Sequence, residues 1–299
     1  MNPQFPLYIP SKGRYDSRLT SKALEYMKTP YYIVVEEQEY NKYAAVIDKS
    51  KILVLDKDFQ KKYDTFDDLG DTKSKGPGAA RNFAWQHSMD NGYDWHWVMD
   101  DNIRCFYRLN RNLKIRLDSG ICFKCMEDFC LRYSNIGMAG PNYEMFVPMK
   151  KIQPPFIMNT RIYSCNLINN SIPFRWRGRY NEDTDLSLRI LKHGLCTVQF
   201  NTFLQKKIIT QALKGGNTEE FYAHEGTLPK SKMQVAMHPD VSRLVFKFGR
   251  WHHHVDYKGF KQKLIRKPEI KLNNQSDEYG MYLVKKSKIT KQATKPPPD

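Results

Sequence analysis

The chain has 299 residues, of which 40% are hydrophobic; this is enough for one large or two small globular domains and excludes a disordered protein. Lysine and arginine number 48 against 32 acidic residues, and the net charge of +16 favours a polyanionic partner, with nucleic acid as the first candidate. The sequence has no run of about twenty apolar residues and no secretory leader pattern, so we expect a cytoplasmic protein without a membrane partner.

The first hundred residues alternate short apolar runs with helical and polar segments. We predict buried strands at 5–10 (FPLYIP), 31–36 (YYIVVE), 51–56 (KILVLD) and 95–102 (WHWVMDDN). Helices are expected at 20–28, at 36–48 and after the glycines near residue 76. This order predicts a parallel sheet with helices on both faces. Because ligands of such sheets bind beyond the carboxyl ends of the strands, we expect a site in the loops after Pro10, Glu36, Asp56 and Met99.

The second half of the chain is less regular. We predict a helix at 120–133 and short strands at 144–149, 161–168 and 196–203. Beyond residue 215 the sequence shows little periodicity, and we expect loops with one or two helices there. No repeat or linker divides the chain. We therefore predict one domain over 1–285, with halves at 1–115 and 116–285, followed by a basic flexible tail over 286–299.

Six cysteines are scattered through the sequence. Cys122 and Cys125 form a CxxC pair, but a second pair at metal-ligand spacing is missing. Their neighbours are apolar and recur at helical spacing. Reduced thiols in a protein core are therefore favoured over a zinc or redox site.

The predicted strand at 95–102 ends in Asp100, Asp101 and Asn102. Carboxylate and amide oxygens are hard ligands suited to Mg²⁺ or Mn²⁺ bridging a diphosphate. A polar turn after a strand is the alternative interpretation.

A glycine-rich stretch, KGPGAARN, precedes a predicted helix and contains Gly78, Arg81 and Asn82. Glycines let the backbone approach a ligand, and the first turn of a helix offers free N–H groups to an anion. The spacing matches neither the dinucleotide fingerprint nor the P-loop. A Gly-Pro turn that caps the helix is the alternative.

Three carboxylates, Glu182, Asp183 and Asp185, crowd the start of a predicted helix in RYNEDTDLSLRILKHG. Acidic residues in a first turn are favourable because they face the unsatisfied N–H groups of the helix. Taken alone, the stretch is equally consistent with helix capping and with a catalytic carboxylate.

In this order, the parts IPSKGR, GAARN, WVMDDN and EDTDLSLR resemble the inverting glycosyltransferases of family 2 with the GT-A fold, over about residues 5–205. A narrower resemblance, in IPSKGRYDSRLT, NEDTDLSLR and GRWHHHVDY, is to the TET/JBP-associated glycosyltransferases, many of them from bacteriophages and thought to sugar-modify hydroxymethylated DNA bases. The resemblance implies an α/β fold with a Rossmann-like, mostly parallel sheet flanked by helices and an irregular C-terminal acceptor region. The half at 1–115 would face a nucleotide-sugar and the half at 116–285 an acceptor.

The resemblance also implies roles for individual residues. Asp183 would be the general base, with Glu182 as the alternative, while Asp185 and Arg189 would orient the helix. The residues expected at the UDP-sugar are Pro10, Ser11, Lys12, Arg14, Glu36, Gly78, Arg81, Asn82 and Asp100. The ligands expected for Mn²⁺ or Mg²⁺ are Asp101, Asn102 and one late histidine, either His252 or His254. For the histidines a surface or DNA-contacting role is the alternative.

Aromatic and basic residues interleave in FRWRGRY, just before the proposed base. We expect Arg175, Arg177 and Arg179 to hold DNA phosphates while Trp176 or Tyr180 packs against a base drawn out of the stack. Trp176 as an ordinary core aromatic is the alternative.

The sequence thus predicts a monomeric, metal-dependent glycosyltransferase that moves a sugar from a UDP-sugar to the hydroxyl of 5-hydroxymethylcytosine, or another 5-hydroxymethyl pyrimidine, in DNA. Two alternatives stay open: the same chemistry on a protein or polysaccharide acceptor, and a non-catalytic DNA-binding module on a GT-A scaffold. A nucleotidyltransferase would not account for EDTDLSLR.

Overall fold

The computed structural model describes residues 2–67, 76–110, 112–149, 153–208 and 227–271. The predicted basic tail at 286–299 lies outside these residues, as does part of the predicted loop region beyond residue 215.

The described residues form a large central sheet with helices around it. The strands of this sheet are β1 (Leu7–Pro10), β2 (Tyr32–Val35), β3 (Ile52–Val54), β4 (Trp95–Met99), β5 (Ile103–Asn110), β6 (Leu113–Arg116), β7 (Ile136–Tyr143), β8 (Phe156–Met158), β9 (Cys165–Asn169) and β10 (Cys196–Lys207). Their order is β3-β2-β1-β4-β9-β7-β10-β5-β6, and β8 pairs with β10. A separate antiparallel hairpin consists of β11 (Ser242–Lys247) and β12 (Arg250–Val255).

The helices connect the strands and cover the sheet. They are α1 (Leu19–Tyr26), α2 (Tyr40–Ala44), α3 (Lys57–Lys61), α4 (Gly78–Asp90), α5 (Ile121–Leu131), α6 (Glu182–Lys192) and α7 (Leu228–Met237). Short 3₁₀ turns lie at Glu37–Glu39, Lys49–Lys51 and Glu144–Phe146. Among the described residues, none of these helices combines the length and the hydropathy that crossing a bilayer requires.

The first four strands confirm the predicted α/β arrangement. Strand β1 pairs in parallel with β2 and β4, and β2 pairs in parallel with β3. Strands β7 and β10 are also parallel, whereas β9 runs antiparallel between β4 and β7, and β5 runs antiparallel beside β10. The result is the expected Rossmann-like sheet in the first half, extended by a mixed part in the second half.

The strand predicted at 144–149 is wrong, because the chain forms a 3₁₀ turn there and the strand lies just before it, at β7. The sequence of β7, IGMAGPNY, contains glycine and proline, which weigh against a strand in a sequence pattern. Gly140 is required at this place because an added Cβ would lie 2.1 Å from the carbonyl oxygen of Cys165 on β9. The close approach of a neighbouring strand thus explains the glycine at position 140.

All six cysteines are buried thiols that form no disulfide, as predicted for core residues. Cys122 and Cys125 lie on the buried side of α5, against the main hydrophobic core.

A buried carboxyl group joins α5 to the edge of the core. Glu127 accepts hydrogen bonds from the backbone N–H of Gln4 at 2.7 Å and of Phe5 at 3.2 Å, and from the indole Nε1 of Trp97 at 2.8 Å. It is fully buried, and burial raises its pKa from 4.5 to about 7. The folded protein therefore holds a proton on Glu127 over a pH range in which the unfolded chain does not.

This shift predicts a pH-dependent contribution to stability. Protonated Glu127 stabilises the fold fully below about pH 4.5, and this stabilisation is lost as the pH rises through about 7. We expect the advantage in unfolding free energy of wild type over Glu127→Gln to shrink between pH 5 and pH 8 in urea denaturation. Glu37→Gln, which removes an exposed carboxylate, should show no such trend. A difference for Glu127→Gln that is constant over this range would contradict the assignment.

Candidate active site

A cavity of about 1010 Å³ opens at the carboxyl ends of β1, β2 and β4; we call it the main cavity. The loops after Pro10, Glu36 and Met99 line it, as predicted, and the loop after β3 contributes Leu55 and Lys57 in place of Asp56. The starts of α4 and α6 and the end of β10 complete the wall. The main cavity therefore collects side chains from both halves of the chain.

The guanidinium of Arg81 lies at the meeting point of the three sequence motifs. Its Nη1 donates to Asp183 Oδ1 at 2.6 Å and lies 3.2 Å from Glu182 Oε1, while Nη2 donates to Asp100 Oδ1 at 2.7 Å. Arg81 is only 2% exposed, and its guanidinium lies 4.6 Å from the centre of the Trp176 ring. One buried cation thus fixes the strand-end carboxylate against the carboxylates of α6.

Asp100 is held by a second cation. Lys207, at the end of β10, donates from Nζ to Asp100 Oδ2 at 2.5 Å and to Ser164 Oγ at 2.9 Å. Burial disfavours the charged carboxylate, but Lys207 and Arg81 outweigh it and hold the pKa of Asp100 below its ordinary value. Asp100 is therefore an ionised, positioned group.

For Glu182 and Asp183, burial has a larger effect on the pKa than the neighbouring cations have. Burial raises the pKa of both carboxyls, and Arg81 offsets only part of that effect. Asp183 also accepts longer hydrogen bonds, of 3.3 Å each, from the Ser164 backbone N–H and from Asn166 Nδ2. These two side chains line the main cavity with a higher proton affinity than an exposed carboxylate, which suits a group that accepts a proton.

The third carboxylate at the start of α6, that of Asp185, fixes the helix to its neighbours. Asp185 is fully buried and bonds to Arg177, to Arg189 and, at 2.9 Å, to His238 Nε2. Before the helix, Asn181 adopts a left-handed conformation with φ of 58° and turns the chain into α6. The expected orienting role of Asp185 and Arg189 therefore agrees with their contacts, and two of the three carboxylates are left to face the main cavity.

Gly78, the first residue of α4, is required by packing. A Cβ on Gly78 would lie 1.8 Å from the hydroxyl oxygen of Tyr63, which donates to the Gly178 carbonyl at 2.7 Å. Asn82 exchanges two hydrogen bonds of 2.9 Å with the backbone of Trp176. Neither Gly78 nor Asn82 lines the main cavity, so their predicted nucleotide contact is replaced by a structural role.

The other residues predicted at the nucleotide, Pro10, Ser11, Lys12, Arg14 and Glu36, all line the main cavity. Lys12 Nζ lies 3.4 Å from Glu36 Oε1. Ser11 donates from Oγ to Asp101 Oδ2 at 2.8 Å, and Arg14 forms an ion pair with the same carboxylate. The loop after β1 is therefore bound to the end of β4.

The predicted cation requires oxygen ligands beside a diphosphate. Asp101 and Asn102 both line the main cavity, and the Oδ1 atom of Asn102 is buried without a hydrogen-bond partner among the described residues. In the described parts of the chain, no group of three or more His, Cys, Asp or Glu side chains could hold a metal ion. The residues offer Mg²⁺ or Mn²⁺ at most two oxygen ligands, and the Asp101 carboxylate already binds Ser11 and Arg14, so substrate phosphates would have to supply the remaining ligands.

The three consecutive histidines of β12 are placed differently from the prediction. His253 lines the main cavity, His252 lines a second cavity beside it, and His254 lines neither. Successive residues of a strand point to opposite sides, so neither of the two predicted candidates, His252 and His254, shares the face of His253. Burial lowers the pKa of His253 to about 3, which keeps this imidazole neutral.

Of the residues at 175–179 that were predicted to contact DNA, Arg175 is exposed, Arg177 is half-buried, and Trp176 and Arg179 are buried. Trp176 is 2% exposed, and the Arg81 guanidinium already stacks on its ring. The ring is therefore inaccessible to a DNA base. Arg177 pairs with Asp185, and Arg175 stacks over the Trp85 ring at 4.5 Å. Arg179 is buried at the wall of the main cavity. The alternative, a core aromatic, is the one that the structure supports for Trp176.

Several residues of the main cavity carry no signal in the sequence that marks them as site residues. Lys207 lies four residues beyond the predicted end of its strand, and its partner Ser164 accepts or donates a 2.6 Å hydrogen bond with the Tyr143 hydroxyl. Arg161 also lines the wall. No apolar-polar alternation runs through TFLQKK, so the sequence carries no local signal for the four additional residues of this strand.

The Arg81 contacts predict a large effect of removing the cation. Arg81→Met leaves Asp100, Glu182 and Asp183 close together without their shared partner, at a cost of about 3–5 kcal/mol in unfolding free energy at pH 8. The loss should be smaller at pH 5, where protonation relieves the repulsion. Arg175→Met, which breaks no ion pair with these carboxylates, is the matched control for denaturation at both pH values. Equal losses in the two variants would contradict this account.

A family model described as TET-Associated Glycosyltransferase matches residues 5–216 of the chain. The matched segment contains the loop after β1, the start of α4, the end of β4, the start of α6 and the end of β10, which together form most of the main cavity. No curated protein is significantly similar to the chain. Because the match covers more than half of the sequence, the chain belongs to the TET-associated glycosyltransferase family.

Proposed function

We propose that the protein transfers a sugar from a UDP-sugar to the hydroxyl of a 5-hydroxymethyl pyrimidine in DNA, first of all 5-hydroxymethylcytosine. The family supports glycosyl transfer, and the charge of +16 supports a polyanionic acceptor. The observation that carries the proposal is the ion-pair network of Arg81, because it holds strand-end Asp100 beside two carboxylates of high proton affinity in one cavity.

The donor lies at the carboxyl ends of β1, β2 and β4 in this proposal. Lys12 and Arg14 enter the main cavity from the loop after β1, and Lys57 and Lys61 enter it from the region after β3, so cations surround the place of a diphosphate. Glu36, at the end of β2, is placed to accept hydrogen bonds from the ribose or uracil. A Mn²⁺ or Mg²⁺ ion held by Asp101 and Asn102 would neutralise charge on the departing diphosphate.

The transfer itself requires a proton acceptor and charge stabilisation. The acceptor hydroxyl oxygen attacks the anomeric carbon, its proton passes to a carboxylate oxygen of Asp183, and the bond from the anomeric carbon to the phosphate oxygen breaks with its electron pair on UDP. The stereochemistry is inverted because one displacement occurs. Arg81 and Lys207 keep the carboxylates in place and counter the negative charge of the departing group.

The experiment is mass spectrometry of nucleosides from 5-hydroxymethylcytosine-containing DNA, incubated with the protein, Mn²⁺ and a pool of UDP-sugars. We expect a mass increment of one sugar on the modified nucleoside with wild type. Asp183→Asn should lower the transfer rate about 10²–10⁴-fold with UDP affinity retained, because base catalysis is worth about that much. Asp240→Asn, which removes an exposed carboxylate paired with Lys192, should leave the rate unchanged.

Each other result points to a different account. Full activity of Asp183→Asn would remove Asp183 as the base and leave Glu182 as the candidate. UDP release without a modified nucleoside would indicate a protein or polysaccharide acceptor. Binding of DNA with neither product nor UDP would indicate a DNA-binding module on a glycosyltransferase scaffold.

A further inference from the structure

The hairpin Ser242–Val255 exposes an unusual group of aromatic side chains. Phe248 at its turn is 93% exposed, Phe246 is 60% exposed and Trp251 is 40% exposed. The rings of Phe246 and Trp251 meet edge to face across the two strands, with their centres 5.3 Å apart. Phe248 and Gly249 both have positive φ, of 53° and 72°, so the turn projects the Phe248 ring outward. Large exposed apolar groups at one place indicate a surface that meets a partner.

The charge of the hairpin identifies the chemistry of that partner. Its sequence, SRLVFKFGRWHHHV, contains Arg243, Lys247 and Arg250 and no acidic residue. Aromatic rings next to cations are the combination that binds nucleic acid, since the rings stack on bases or enter the base stack while the cations neutralise phosphates. A nucleic acid, which combines negative charge with planar bases, therefore fits this surface better than the surface of a typical protein does.

A second cavity of about 690 Å³ lies against the half of β12 that is nearest the turn; we call it the hairpin cavity. Arg250, Trp251 and His252 of β12 line it. It shares five wall residues with the main cavity: Tyr143, Arg161, Lys207, Lys230 and His253. A volume of this size accommodates one nucleotide. The carboxylates that bind Arg81 line the main cavity and not the hairpin cavity, so a group of the occupant would reach them across the shared wall.

The hairpin is fixed relative to the proposed base. Strand β12 packs on α7, and the Lys230 carbonyl of α7 accepts a 2.7 Å hydrogen bond from Asn181 Nδ2, directly before α6. His238, just after α7, bonds to Asp185 within α6. The same elements that orient Glu182 and Asp183 therefore hold the hairpin.

We infer that the hairpin and the hairpin cavity form the acceptor site for duplex DNA. The target pyrimidine nucleotide leaves the base stack and occupies the hairpin cavity, and Phe248 enters the stack at the place that the base has left. This inference rests on the proposed function and adds to it the surface that extrudes the base. A base inside a duplex is inaccessible to a cavity of this kind, and apolar side chains that enter a base step stabilise the opened state.

The test compares transfer to a duplex and to a single strand that both carry one 5-hydroxymethylcytosine. Phe248→Ala should lower transfer to the duplex at least tenfold and transfer to the single strand less than threefold, because only the duplex requires extrusion. Phe248→Leu, which keeps an apolar side chain, should recover most of the duplex activity. Tyr93→Ala removes another exposed aromatic, in the turn before β4, and serves as the matched control without effect on either substrate.

A second readout reports the extrusion directly. With 2-aminopurine next to the target base, wild type should raise the fluorescence of the duplex, and Phe248→Ala should reduce that rise. Equal losses of Phe248→Ala on duplex and single strand, or no fluorescence rise with active wild type, would overturn the inference while leaving the proposed function intact. If wild type forms dimers, and Phe248→Ala dissociates them without changing transfer to the duplex, the aromatic surface binds a second copy of the chain. That result would also overturn the inference. Wild type that modifies neither substrate would overturn the proposed function first.

Discussion

The site depends on one ionic interaction, that of the buried Arg81 guanidinium with Asp100, Glu182 and Asp183. A charge removed from water is costly unless opposite charges and hydrogen bonds compensate it, and here three carboxylates and the Trp176 ring do so. The three carboxylates in turn require the cation, because burial alone would favour their neutral forms. The arrangement is stable only when the first half of the chain, with α4 and β4, is docked on α6 of the second half.

The same network relates the two cavities. Lys207 extends it from Asp100 to Ser164 and Tyr143, at the wall that the main cavity shares with the hairpin cavity. On the other side of α6, Asp185 ties the helix to His238 and thereby to α7, on which the hairpin packs. A donor in the main cavity and an acceptor that reaches across this wall from the hairpin cavity would meet at the carboxylates of α6. A direct displacement needs the two reactants in such proximity.

The sequence was informative where the signal is local. Apolar runs predicted the first strands, helical spacing predicted α6, and the ordered motifs predicted that Asp100, Arg81 and Asp183 belong to one site. It failed where the reason for a residue lies far away in the chain. A glycine is needed at position 78 because the Tyr63 hydroxyl lies against it, and Trp176 is buried where its ring stacks with Arg81. Lys207 pairs with Asp100, which follows the end of another strand. None of these contacts leaves a pattern in the neighbouring sequence. Which of the three histidines lines the main cavity depends on how the hairpin is oriented towards that cavity. The alternation of side chains along one strand does not determine this orientation.

In our proposal, the nucleotide of the donor binds where the carboxyl ends of β1 and β4 meet the start of α4. Hydrogen–deuterium exchange with and without UDP would locate this binding. We predict slower exchange in residues 10–14, 78–81 and 99–102 when UDP is present, with little change in the hairpin. Protection confined to the hairpin and α7, with these three segments unaffected, would contradict the account.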